Sequence, residues 1–518
     1  MVQQLTSTPA NTRSLAVSIG RGTFSGAVAN FMRLATRLIT VPIVIHYLGL
    51  DAYGIWSIIM TAASYMRFGT VGIKSAFQKY VAEATGNGNF EKTNRLLSTG
   101  TVGIFLLSVL GLIPVALFSQ GLARLAGVPE QFRDATALSI TLLAFIMVLS
   151  NTGAVFEAIV MGGHRIEIAR NLATGFIVAE AVAIVILLRL GYGLVAMSAV
   201  MAVSEVGYRT FCFVASRRVL PQVQVRLKFV TTGVAKELVT FAGSYQLVNM
   251  LEVAYASIVP ICILRIFGAE AAGVFAVATR LVGAAVLGQE ALLLPVLSSG
   301  SMLYAAASVE KLRLLFRYSF KLTFLMTLLP LGFVCVFSST IVKAWTGEVG
   351  PMFGISILWT SVAALFRAVS LLGLILYRVS GRSILDNVRQ VLRIVILVLV
   401  SFLAIRLGFS GLLIGLAVAE FVGMVFMIFA IAHTFESFSI GSVVSDLSRL
   451  LVAASIPLGI AALAAHIRLP WESSSRFAAI TQVMIGAAAC LAVLWPALVY
   501  TRSISGDEIT SLRKVVRS

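Results

Sequence analysis

The stretch "VPIVIHYLGLDAYGIW", residues 41–56, reads as the end of an apolar helix, a tight turn and the start of a second helix. The chain repeats it in altered form as "VPICILRIFGAEAAGVF", residues 259–275. Gly49 of the first copy matches Gly268 of the second, which carries one extra residue. The two copies predict an internal repeat, with each turn joining the first two helices of its half at the outer rim.

Further matches recur at nearly the same offset. Glycine and small residues recur by chance in membrane proteins, so each match alone is weak, but together they indicate two related halves. The matching segments are Glu91-Lys92 with Glu310-Lys311, "GGHR" at 162–165 with "SGRS" at 380–383, and "LGYGL" at 190–194 with "LGFSGL" at 407–412.

The composition is that of a membrane protein. Hydrophobic residues make up 59% of the 518 residues and charged residues 12%, and the mean hydropathy is +0.97. That is too little charge to cover the surface of a soluble protein of this length. Apolar runs of spanning length, ~20 residues each, without the alternation of a β-barrel, predict an all-α polytopic membrane protein with about 14 transmembrane helices. The predicted spans are 24–46, 52–73, 96–118, 135–160, 171–190, 192–214, 238–264, 271–297, 322–342, 353–377, 390–406, 410–432, 450–467 and 477–500.

The repeat divides these helices into two six-helix repeat bundles plus two C-terminal helices. Because six is even, both halves enter the membrane from the same face, as in transporters built from parallel repeats, where rocking of the halves gives alternating access. Between the two bundles, the segment "RRVLPQVQVRLKFV" is basic and alternating. This pattern fits either a segment on the inner membrane surface or a solvated linker. The predicted parts are an N-terminal bundle at 1–214, a cytoplasmic amphipathic connector at 215–237, a C-terminal bundle at 238–433, and two additional helices with a cytoplasmic tail at 434–518.

The net charge of +18 is explained by topology. With both termini in the cytoplasm, 26 of the 40 Lys and Arg residues, Arg389 and Arg393 among them, fall in cytoplasmic segments, 8 in outer loops and 6 in spans. This satisfies the positive-inside rule, so the basic excess requires no nucleic-acid partner.

Several charged side chains fall inside predicted spans. Each arginine at a helix centre costs ~2.5–3.5 kcal/mol on the insertion scale, so these residues are expected to face water, anions or carboxylates. Arg67 could instead snorkel from a helix end, and Glu205 could pair with Arg209 four residues on. The candidate anion-binding residues are Arg33, Arg37, Arg67, Arg280 and Arg367. The candidate carboxylate partners are Glu157, Glu180, Glu205, Glu252, Glu290 and Glu420.

Polar residues extend this predicted cavity. Asn30 lies one turn before Arg33 on helix 1, and Asn249 and Glu252 make helix 7 unusually polar. Glu180 or Glu252 could titrate and couple protons to transport. A cationic path of this kind suits an anionic cargo.

The two arginines of helix 1, the "VPIVIHYLGLDAYGIW" turn, the "GNFEKTNRLL" loop and the 6 + 6 + 2 layout resemble the polysaccharide transporter family. These are Wzx-type O-antigen and exopolysaccharide flippases of the multidrug/oligosaccharidyl-lipid/polysaccharide exporter superfamily. The resemblance implies a MATE-like fold with a cation-lined cavity, to which Arg33 and Arg37 contribute. It implies flipping of undecaprenyl-diphosphate-linked oligosaccharide across the bacterial inner membrane. Membrane lipids and other polysaccharide assembly proteins, such as a polymerase and a chain-length regulator, are the partners it implies.

Two alternatives remain open. A lipid II flippase shares the fourteen helices and a cationic cavity. A membrane polymerase or ligase acting on lipid-linked sugars would be expected to carry a sizeable outer loop with catalytic residues, whereas the longest outer loop predicted here is 119–134, without histidine. The sequence contains no HExxH, P-loop, GxSxG or DxD constellation, and its four cysteines show no metal-ligand spacing. We therefore predict a non-enzymatic protein without cofactor or metal.

Overall fold

The computed structural model is all-helical over the residues that it describes, with no strand among them, as the sequence predicts. Ten of the described helices are long and apolar enough to cross a membrane. The chain is thus a multi-pass membrane protein, although the predicted count of fourteen spans is not confirmed. The described residues are 9–65, 71–306, 308–379, 384–434, 440–466 and 476–501.

The chain forms two compact units. Unit 1 comprises Met1–Val253 and Leu264–Glu270, and unit 2 comprises Ala254–Ile263 and Ala271–Ser518. One long helix contributes to both. The division into a six-helix bundle, a second bundle and two added helices stays a prediction.

Unit 1 is built on apolar helices that end at glycine-containing turns. Its core is formed by side chains such as Phe77, Leu96, Val155 and Ile159. The helices are α1 (Pro9–Tyr65), α2 (Val71–Asn87), α3 (Phe90–Leu125), α4 (Glu130–Gly162), α5 (Ile166–Arg189), α6 (Leu194–Val219) and α7 (Thr232–Ala285), the last shared with unit 2.

Unit 2 contains the remaining helices. Phe324, Val369, Leu450 and Leu498 belong to one buried cluster, which packs the last two helices against the others of the unit. The helices are α8 (Leu287–Ala305), α9 (Val309–Val336), α10 (Ser338–Trp345), α11 (Pro351–Val379), α12 (Ile384–Ala404), α13 (Gly408–Thr434), α14 (Ile440–Ala465) and α15 (Arg476–Tyr500).

The predicted tight turns lie at Gly49 and Gly268, and each has a single non-helical residue. Gly49 has φ 85° and ψ 167°, and Gly268 has φ 89° and ψ −178°. This backbone region is essentially restricted to glycine. The helices on either side of each glycine therefore join almost directly.

Other backbone irregularities repeat at nearly the same offset. Two further pairs of glycines have positive φ, Gly127 with Gly347 and Gly191 with Gly408. A kink inside α3 at Phe118 corresponds to Phe337, which separates α9 from α10. The repeat read from the sequence is thus present in the backbone of both halves.

The expected long outer loop at 119–134 is wrong. Helix α3 continues past its kink to Leu125 and α4 begins at Glu130, so a four-residue connection remains. Arg265 of α7 donates a hydrogen bond to the Leu125 carbonyl at 2.7 Å and so caps this helix end.

Candidate functional site

Two of the predicted arginines are exposed and unpaired within the described part of the chain. Arg33 lies on α1 and Arg280 on α7, and neither has a hydrogen-bond or ion-pair partner among the described residues. Arg367 is exposed on α11 and has a partner. The three lie in spans that are apolar enough to cross a membrane.

The other predicted site residues are less fully placed. Asn30 and Arg37 lie in α1 and Asn249 lies in α7, but their side chains fall outside the described part of the structure. Arg67 lies outside the described residues altogether. The two remaining residues, both half-buried with partners, are Glu180 on α5 and Glu252 on α7.

In unit 1, a charged network joins α2, α4 and α6. Glu157 on α4 binds Lys74 Nζ at 2.6 Å through one carboxylate oxygen and Arg209 Nη1 at 2.8 Å through the other. Arg209 Nη2 also lies 2.8 Å from Glu205 Oε1, as the four-residue spacing predicted. Ser150 donates a hydrogen bond to Glu205. Two positive and two negative charges therefore balance within one network.

A glycine makes room for the arginine of this network. A Cβ at Gly153 would lie 3.1 Å from Cδ of Arg209. Ser150, Gly153 and Glu157 follow at three- and four-residue intervals and so share one face of α4. This face of α4 receives the guanidinium of Arg209.

Unit 2 contains a second balanced network, deeper than the first. Arg393 on α12 is completely buried and pairs with Glu420 on α13. Its Nη1 donates to Oε1 of Gln390 at 2.6 Å, and its guanidinium carbon lies 4.0 Å from the ring centroid of Tyr255. One turn earlier on α12, buried Arg389 pairs with Asp386 at 2.9 Å.

The sequence does not predict this network, because the predicted topology places Arg389 and Arg393 among the cytoplasmic charges. A signal was present in "DNVRQVLR", where Asp386, Arg389, Gln390 and Arg393 recur at positions i, i+3, i+4 and i+7. This spacing places them on one face of a helix. The opposite face of α12 is apolar and exposed, so the helix is polar inside and apolar outside.

A third buried carboxylate ties α14 to α9. Asp446 is buried and accepts hydrogen bonds from Arg317, with Nε to Oδ2 at 2.8 Å. Lys321 Nζ lies 3.5 Å from its other oxygen. The added helices are therefore attached by charge as well as by apolar packing.

Three of the six carboxylates proposed as partners for the candidate arginines bind other residues instead. Glu157 and Glu205 are bound by Lys74 and Arg209, and Glu420 is bound by Arg393. Because these networks are balanced internally, they offer no surplus charge to a ligand. Of the candidate arginines whose side chains the structure describes, Arg33 and Arg280 are the two whose charge no described residue balances.

Comparison with known proteins gives relatives in sequence and in fold. No family model matches the chain. The uncharacterized membrane protein EpsK of Bacillus subtilis is 22% identical over 218 residues, which are 41% of this chain and 42% of the relative. The match thus spans about two fifths of the curated relative's length.

Solved structures match over much more of the chain. The lipid II flippase MurJ in an inward closed conformation superposes with a TM-score of 0.68 and 14% identity, covering 92% of this chain and 98% of that one. An inward-facing multidrug resistance MATE family transporter of the MOP superfamily superposes with a TM-score of 0.61 and 16% identity. The match covers 82% of this chain and 100% of that one. The chain has the fold of these transporters. At such low identity the likeness extends to the fold alone.

Proposed function

We propose that this protein is a flippase that moves undecaprenyl-diphosphate-linked oligosaccharide across the bacterial inner membrane by alternating access. The observation that carries the proposal is the exposed, unpaired state of Arg33 and Arg280 among the described residues of the membrane spans. A guanidinium facing bare lipid costs at least ~2.5–3.5 kcal/mol. A diphosphate headgroup in a hydrated path supplies the missing hydrogen-bond acceptors.

The positions of these arginines along their helices support this reading. Arg280 lies twelve residues beyond Gly268, about 18 Å along a helix that rises 1.5 Å per residue. Arg33 lies sixteen residues before Gly49, about 24 Å by the same measure. With both glycines at the outer rim of a hydrocarbon core ~30 Å thick, both arginines fall below the membrane surface. The remaining candidate contacts of the cargo in this proposal are Arg37, Arg67, Arg367, Asn30, Asn249, Glu252 and Glu180.

Membrane energetics support outward movement of such a cargo. The inside-negative potential favours export of negative charge by ~2.3 kcal/mol per charge per 100 mV, or ~5 kcal/mol for a dianion. The exported unit would serve surface polysaccharide synthesis, with a polymerase and a chain-length regulator as downstream partners. The basic segments and both termini would then face the cytoplasm.

Reconstitution tests the role of the two arginines. Proteoliposomes would contain a fluorescent undecaprenyl-diphosphate oligosaccharide, and flipping would be followed by quenching from the outside. Arg33→Ala and Arg280→Ala are each expected to slow flipping about tenfold or more, since hydrogen bonds to charged groups contribute ~1.5–3 kcal/mol. Arg33→Lys and Arg280→Lys should retain more activity because they keep the charge.

Arg189→Ala is the matched control, since Arg189 is also exposed but ends α5. It should flip the lipid at the wild-type rate. Wild-type rates in both Arg33→Ala and Arg280→Ala, with normal protein incorporation, would refute the proposed anion path. A change in the mass of the lipid-linked sugar during the assay would favour the polymerase or ligase alternative instead.

The likeness to the lipid II flippase favours a second candidate function. A host depleted of its own lipid II flippase separates the two cargoes. Growth restored by this protein would support lipid II as cargo. We expect no rescue, because the turn and loop motifs resemble the polysaccharide transporters more closely.

A further inference from the structure

The segment between α6 and α7, residues 220–231, is attached firmly to α3, and we call it the elbow. The side chain of Asn94 on α3 binds the elbow backbone twice. Its Nδ2 donates to the carbonyl of Gln222 at 3.3 Å, and its Oδ1 accepts from the amide of Gln224 at 2.8 Å. The side-chain amide of Asn94 thus makes one donor and one acceptor contact with the backbone of the elbow, as a neighbouring β-strand would.

Two more side chains of α3 continue this attachment. Ser98 accepts a hydrogen bond from the amide of Arg226 at 3.0 Å, and Thr99 accepts one from the amide of Thr231 at 3.1 Å. Val223 is 3% exposed and belongs to the core of unit 1. The elbow is therefore neither a free linker nor a segment lying wholly on a membrane surface.

The part of the elbow between these attachments points outward. Residues Leu227–Phe229 form a 3₁₀ turn, in which Leu227 is 80% exposed. Arg226 and Lys228 on either side of Leu227 are also exposed. Lys228 Nζ lies 5.0 Å from the centroid of the Phe229 ring. The elbow thus exposes the apolar side chain of Leu227 between the cations Arg226 and Lys228.

The surrounding sequence is uniformly basic. Residues 210–236 contain five cations and no aspartate or glutamate. Two of the cations, Arg217 and Arg218, are exposed at the end of α6. In water, an exposed leucine among these charges has no favourable contact. At a membrane surface the leucine can contact acyl chains and the cations can contact anionic headgroups.

We propose that the elbow is a binding site for an anionic phospholipid. Arg226 and Lys228 bind the phosphate of the headgroup, and Leu227 inserts into the adjoining acyl region. Asn94, Ser98 and Thr99 are positioning residues, because they hold the backbone that presents this turn. The proposal uses none of the proposed cargo arginines and stands whether or not the chain is a flippase.

The test uses the full chain in nanodiscs of phosphatidylcholine with an increasing fraction of phosphatidylglycerol. Amide hydrogen exchange of peptides covering 220–231 is expected to slow as that fraction rises. In Arg226→Gln/Lys228→Gln, the apparent affinity for phosphatidylglycerol should fall about 25-fold, at about fivefold for each cation near the surface. Leu227→Gln should weaken the response while leaving the charge intact, and Asn94→Ala should weaken it by loosening the elbow.

Arg189→Gln/Arg406→Gln removes the same charge from exposed positions elsewhere and serves as the control. It should respond to phosphatidylglycerol as the wild type does. Exchange that is independent of phosphatidylglycerol would overturn the proposal. So would an equal loss of response in the control, which would indicate general electrostatics, or protection by an acidic protein or RNA in pure phosphatidylcholine.

Discussion

At the residue scale, each unit accommodates an arginine beside a glycine of the neighbouring helix, half-buried Arg209 in unit 1 and buried Arg393 in unit 2. A Cβ at Gly423 would lie 2.9 Å from Cγ and Cδ of Arg393, just as one at Gly153 would crowd Arg209. Neither glycine has a positive φ, so both are needed for space and not for backbone conformation. The absence of a side chain lets the arginine stem lie against the helix while its guanidinium reaches a carboxylate.

The Arg393–Glu420 pair is predicted to matter through the charge that remains when one partner is removed. Glu420→Gln should lower the free energy of unfolding by ~3–5 kcal/mol, because it leaves a buried cation without its counter-ion. The double variant Arg393→Met/Glu420→Leu should cost less than Glu420→Gln alone, since it removes both charges. Thermal unfolding in detergent measures the difference.

Arg95→Ala provides the comparison for an exposed pair. Arg95 and Glu91 lie 2.6 Å apart on the surface of α3, and such pairs contribute ~0–1 kcal/mol. If Arg393→Met/Glu420→Leu were less stable than Glu420→Gln, the interpretation that Arg393 and Glu420 compensate each other's charge would be wrong.

Gly423→Ala is predicted to destabilise by overpacking. The added methyl must displace Arg393 near the middle of its side chain, at a cost of ~1–3 kcal/mol. Gly283→Ala on α7 is the control, because its Cβ would meet no atom within 4 Å. A lower melting temperature is expected for Gly423→Ala only, and equal values would show that Arg393 can move freely.

At the element scale, the helices of both halves break at equivalent positions. Gly49 interrupts α1 and Gly268 interrupts α7. Later in each half, Phe118 interrupts α3 and Phe337 separates α9 from α10. Since a single non-helical residue separates the two helical segments at each of these positions, each break sets the angle between its two neighbours. The breaks therefore determine the path of the chain in each unit.

Gly49→Ala and Gly268→Ala are predicted to strain the backbone without any steric contact. No atom lies within 4 Å of a Cβ at either position, so the effect must come from φ and ψ alone. The expected loss is ~1–3 kcal/mol for each. In contrast, Gly103→Ala within α3 also meets no atom and should be neutral or stabilising by ~0.5–1 kcal/mol. Melting temperatures in detergent that fall equally for all three would contradict this reading.

At the scale of the whole molecule, charge has two separate roles. The half-buried network Lys74–Glu157–Arg209–Glu205 and the buried pair Arg393–Glu420 are balanced and hold helices together. Exposed cations are predicted to orient the chain in the membrane and, in our proposal, bind cargo and lipid. The two networks therefore contribute nothing to the net charge of +18.

Cysteine labelling tests the orientation. Leu190→Cys after α5 and Lys92→Cys in α3 lie at exposed positions on opposite sides in the predicted topology. The four native cysteines are buried or half-buried, which keeps the background low. An impermeant maleimide should label Leu190→Cys in intact cells and Lys92→Cys only after permeabilisation, because basic segments stay in the cytoplasm. The reverse pattern would invert the topology.

The sequence by itself determined the helical class, the membrane location, the repeat and the two kink glycines. These follow from local properties, since apolar length reports membrane spans and only glycine tolerates the backbone angles at the turns. The Glu205–Arg209 pair was predictable for the same reason, because four residues make one helical turn.

Only the tertiary structure decided which charges are partners and which are surplus. Lys74 and Glu157 are 83 positions apart, and Arg393 and Glu420 are 27 apart on different helices. No spacing rule within one helix connects such residues; the packing of helices brings them together. The attachment of the elbow by Asn94, about 130 positions before Gln224, was hidden for the same physical reason.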